Sequence, residues 1–88
     1  MNRLYIIKVG SMEIRGLISP GELPEVVSSF YSMSKQRGAT ADFLGNGVFL
    51  AQRDEILLTL TIGEYHESIP SRQLVDALCE VMVSVFKL

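Results

Sequence analysis

The segment RLYIIKVGSMEIRGLIS, residues 3–19, constrains the fold more than any other part of the chain. Two runs rich in apolar residues flank a Gly-Ser pair at 10–11, and a glycine in the first position suits a two-residue type II′ turn. This turn sets the opposed pairs Val9–Met12, Lys8–Glu13, Ile7–Ile14, Ile6–Arg15, Tyr5–Gly16 and Leu4–Leu17. An aromatic ring then lies over a glycine and a lysine faces a glutamate across the strands. The segment predicts an antiparallel hairpin.

The next segment, residues 19–38, has the features of a helix that covers a sheet. Ser19 and Glu22 form an N-terminal signature, and Gly38 is a C-cap. Since the ring of Pro24 would clash inside a helix already begun, we expect a short turn over 20–23 and a main helix from Pro24. One face of this helix is apolar, with Leu23, Val26, Val27, Phe30 and Met33.

Residues 39–62 predict a meander of three strands. Gly45-Asn46-Gly47 forms the first turn, and residues 52–55 form the second. In the last strand alternate residues share a face, which indicates a half-buried strand. The element order is therefore ββ-α-βββ-α, and it predicts one α+β domain over residues 1–88. The expected architecture is a two-layer sandwich, with an antiparallel sheet of about five strands and both helices on one face.

The final helix, from about Pro70 to Phe86, is apolar around most of its circumference. Its apolar residues cover more than the roughly 100° arc that packing on one sheet requires, which indicates that the helix makes a second contact. We expect self-association as a homodimer, with Val81 and Val85 as candidate interface residues, because the chain is short and 48 % of its residues are hydrophobic. The alternative is that the helix lies in a groove between the sheet and the first helix. Cys79, within the apolar arc, is expected to be buried and inert.

The sequence predicts neither a cofactor nor a metal site. Cys79 is the only cysteine and His66 the only histidine, so Cys and His cannot supply four zinc ligands. No apolar run approaches the roughly 18 residues of a membrane span, and the N-terminal residues do not resemble a signal peptide. We therefore expect a cytoplasmic protein.

The net charge of −2 argues against general binding to nucleic acid, which requires a concentrated basic surface. Arg15, Lys35 and Arg37 are the candidates for a basic patch that could contact phosphate. A solvated helix terminus explains the last two equally well, so weak nucleic-acid binding remains an alternative function.

The loop IGEYHESIP, residues 62–70, brings together residue types that acid–base chemistry uses. Neighbours on one loop seldom converge on a substrate atom, so we expect no catalytic residues here. Glu64, Tyr65, His66 and Glu67 are instead candidates for contact with a protein partner of unknown identity. An enzyme that binds a small ligand through Tyr65, His66 and Glu67 is the alternative.

These features predict a small, non-enzymatic protein-binding module, such as a regulator, an inhibitor or an accessory subunit. Bacterial and phage-encoded inhibitors and immunity proteins are similar in size and composition, an analogy that carries no residue roles.

Overall fold

Five antiparallel strands and two helices make up the computed structural model, which describes residues 3–63 and 73–87. The elements, in chain order, are β1 (Arg3–Val9), β2 (Met12–Ile18), a 3₁₀ turn (Pro20–Glu22), α1 (Leu23–Gln36), β3 (Thr40–Gly45), β4 (Val48–Arg53), β5 (Ile56–Ile62) and α2 (Leu74–Val85). The predicted α+β class and the order ββ-α-βββ-α are confirmed. The helix α1 begins one residue before Pro24, directly after the 3₁₀ turn.

The β1–β2 hairpin has the predicted register at every opposed pair. Gly10 has a φ of 58°, while Ser11 is not among the residues with positive φ, as a type II′ turn requires. The ring of Tyr5 covers Gly16 so closely that a Cβ at position 16 would lie 2.6 Å from the ring atoms. The glycine is therefore required by the packing of the ring above it.

The strand order of the sheet is β2-β1-β5-β4-β3. β1 pairs with β5, which joins the hairpin to the meander and places the apolar strand ILLTLTI at the centre. β2 and β3 form the two edges. The chain therefore passes from one edge of the sheet to the other through α1.

Both helices pack on the same face of the sheet. The strand residues of the core all belong to that face in the observed register: Tyr5, Ile7, Ile18, Ala51, Leu58, Leu60 and Ile62. The helix residues of the core are Val26, Phe30, Leu74, Ala77, Leu78, Val81 and Met82. α1 lies next to β3, α2 lies next to β2, and the two helices contact each other. This arrangement confirms the predicted two layers.

Arg53, at the end of β4, joins the C-terminal ends of the two helices. Its guanidinium donates one hydrogen bond to the carbonyl of Arg37 (2.7 Å) and another to the carbonyl of Lys87 (2.6 Å). It also lies 5.7 Å from the ring centroid of Phe86, within the range of a cation–π contact. A cation placed among carbonyls at the helix ends is favoured by the helix dipoles.

Two expectations about the final helix are wrong. The helix begins at Leu74, because the backbone of Gln73 is extended, with φ −63° and ψ 122°. The part of the prediction that starts at Pro70 lies outside the described residues. Cys79 is exposed, because the helix directs the two residues before it, Ala77 and Leu78, towards the sheet.

Candidate interaction surface

Two large apolar residues that follow each other in sequence lie on the strand at the free edge of the sheet. Phe43 is 55 % exposed and Leu44 is 59 % exposed, and both belong to β3. The other large exposed hydrophobic residues of the described chain are dispersed over other elements: Met12, Tyr31, Leu57 and Val83. The β3 edge is thus the place where adjacent apolar exposure coincides with unpaired strand backbone.

The backbone groups that face outward from β3 can be assigned from the hydrogen bonds of β4. The amide of Ile62 donates to the carbonyl of Gly47 (2.8 Å), so the residues of β4 bonded to β5 alternate from position 47 onwards. Phe49 therefore bonds to β5 and Leu50 bonds to β3. Because Leu50 stands opposite Asp42, it is the neighbouring residue, Phe43, whose N–H and C=O point away from the sheet.

A row of aromatic rings links this edge to the core. The ring centroids of Phe43 and Phe49 are 4.9 Å apart, those of Phe49 and Phe30 are 5.7 Å apart, and those of Phe30 and Tyr31 are 5.9 Å apart. Phe30 is fully buried, whereas Tyr31 is 37 % exposed. The rings hold one another at the spacing of favourable aromatic pairs, so the exposed members are fixed to the core.

Helical spacing places Tyr31 on the same side of α1 as Val27. It follows Val27 by one helical turn, and Val27 lines an open groove of about 320 Å³ together with Phe43. The remaining lining residues are Arg3, Leu23, Gly47, Phe49 and Ile62. We call the free backbone of β3 together with Val27, Tyr31, Phe43 and Leu44 the edge surface.

The opposite edge of the sheet, β2, differs in charge. Glu13 and Arg15 are both exposed on this strand and form an ion pair of 2.7 Å. Charged side chains are a common way in which proteins protect an edge strand from pairing. β3 has a single charged residue, Asp42. The β3 edge is the less protected of the two.

The two self-association candidates on the final helix lie against the core. Val81 is only 4 % exposed, so little of its side chain is open to a second chain. Val85 is half-buried and packs against the same core. Both side chains follow Leu78 and Met82 around the helix towards the sheet, while the apolar residue that this helix exposes is Val83.

The three candidates for a basic patch do not meet. Arg15 lies on the sheet face opposite the helices and is paired with Glu13. Lys35 is exposed in the last turn of α1, in the helix layer. The backbone carbonyl of Arg37 accepts a hydrogen bond from Arg53. The side-chain Nε of Arg37 is buried without a hydrogen-bond partner. The sheet separates Arg15 from the other two.

The loop candidates Glu64, Tyr65, His66 and Glu67 lie outside the described residues. Over residues 3–63 and 73–87, no group of three or more His, Cys, Asp or Glu side chains is arranged to hold a metal ion. In the same ranges no helix has the length and apolarity needed to cross a membrane. No protein-family model, curated protein or solved structure matches this chain.

Phe43, Leu44 and Tyr31 are not among the candidates that the sequence predicts. The sequence does carry one signal: among the described strands, TADFLG alone combines an aspartate with few β-branched residues, a composition that suits an edge better than a centre.

Proposed function

We propose that this chain is a non-enzymatic protein-binding module that self-associates through the edge surface. The observation that carries the proposal is the exposure of Phe43 and Leu44, two consecutive residues of a strand whose outer backbone groups have no strand beside them among the described residues. Exposed apolar side chains next to an unpaired strand edge are the features of a site that binds another polypeptide by adding a strand.

Burial of Phe43 and Leu44 would contribute substantially to the free energy of association, but it is insufficient by itself to hold two chains together. Burying a whole Phe or Leu side chain contributes roughly 1.5–3 kcal/mol, so covering the exposed halves of both residues on two chains contributes about 3–7 kcal/mol. Association costs an estimated 4–15 kcal/mol in lost translational and rotational freedom. Backbone hydrogen bonds along β3 and contacts of Tyr31 must therefore add to the interface, and the edge surface offers both.

The alternative functions have less support from the described residues. A nucleic-acid site would need Arg15, Lys35 and Arg37 to form one basic surface, and they lie on different sides of the sheet. An enzyme built on Tyr65, His66 and Glu67 would depend on residues outside the described ranges. Within residues 3–63 and 73–87, no observation favours either alternative.

The test is the molar mass in solution, measured by light scattering over a concentration series. We expect the native chain to form a dimer, and Phe43→Ser and Leu44→Ser to shift it towards folded monomer. Leu57→Ser is the matched control, because Leu57 is similarly exposed, at 49 %, but lies on the central strand β5. This control should remain dimeric.

Two results would overturn the proposal. A native chain that stays monomeric at all concentrations would remove self-association. A dimer that is unaffected by Phe43→Ser and Leu44→Ser but lost in Val83→Ser would instead place the interface on α2, on its exposed face. Circular dichroism of each variant separates loss of association from loss of fold.

A further inference from the structure

We draw no further inference here: the strongest candidate, the open groove of about 320 Å³ between α1 and the strand ends at Arg3, Gly47 and Ile62, is a largely apolar surface, and nothing in the described part of the chain shows what covers it.

Discussion

The contact between Tyr5 and Gly16 allows a quantitative prediction about stability. A Cβ at position 16 would lie 2.6 Å from three atoms of the Tyr5 side chain, Cε2, Cζ and Oη. The ring is fully buried, so it cannot rotate into solvent to make room. Gly16 is not among the glycines with positive φ, so its backbone accepts an alanine and the obstacle is the ring alone. Gly16→Ala is therefore an overpacking substitution.

Overpacking of a well-filled core typically costs 1–3 kcal/mol, so we expect Gly16→Ala to lower the free energy of unfolding by about 2 kcal/mol. For a domain of this size, such a loss corresponds to a decrease in Tm of about 8–16 °C. Thermal unfolding followed by circular dichroism and urea unfolding measure the effect independently.

A double-mutant cycle identifies the cause. Tyr5→Leu removes the ring and destabilises the protein in its own right, but in that background Gly16→Ala should cost less than about 0.5 kcal/mol, because a substitution in contact with its partner is non-additive. Tyr5→Phe is the matched control: it keeps Cε2 and Cζ, so the clash should persist. A native protein that tolerates Gly16→Ala without loss, or an equal cost in the native and Tyr5→Leu backgrounds, would refute the steric argument.

Three further predictions concern other parts of the fold. Arg53→Met removes both hydrogen bonds to the helix ends and should lower the free energy of unfolding by about 1–3 kcal/mol. Amide exchange should become faster in the last turns of α1 and α2. Arg53→Lys keeps the charge but lacks the planar guanidinium, so it should retain only part of the stability that Arg53→Met loses. The hydrogen bonds from the amide and hydroxyl of Ser19 lower the pKa of Glu22, so its contribution to stability is present above its unfolded pKa, near 4.5, and is lost as pH falls through the folded value. The stability difference between native protein and Glu22→Gln should accordingly be measurable at pH 7 and vanish in acid; a difference that is constant with pH would contradict this account. Cys79 should react with a thiol reagent in the folded protein at the rate of an accessible cysteine, and reaction only after denaturation would show that it is buried.

The local features of the fold followed from the sequence, and the hairpin shows why. A two-residue turn fixes the register of the strands that it joins, so each opposed pair from Leu4–Leu17 to Val9–Met12 could be predicted. The order of the five strands could not, since the pairing of β1 with β5 joins residues 49 to 57 positions apart. No local turn specifies such a contact.

The errors on the final helix have a different origin. Almost every side of α2 carries apolar residues, so periodicity could not determine which side faces the sheet. The rotation of the helix in the structure buries Val81 and exposes Cys79 and Val83. Most of the apolar residues of this helix are buried, and the two large exposed apolar residues that are consecutive in sequence lie elsewhere, on β3.

The location of the candidate interface is a consequence of strand order. β5 has the most apolar sequence of the meander, and pairing it with β1 gives it neighbours on both sides. The meander then extends away from the hairpin, so the first of its strands, β3, becomes the outer one. Had β3 paired with β1 instead, Phe43 and Leu44 would lie at the centre of the sheet and Ile56–Ile62 would form the edge. The same choice that buries the most apolar strand therefore leaves an aromatic strand with one aspartate at the edge, where a second chain can pair with it.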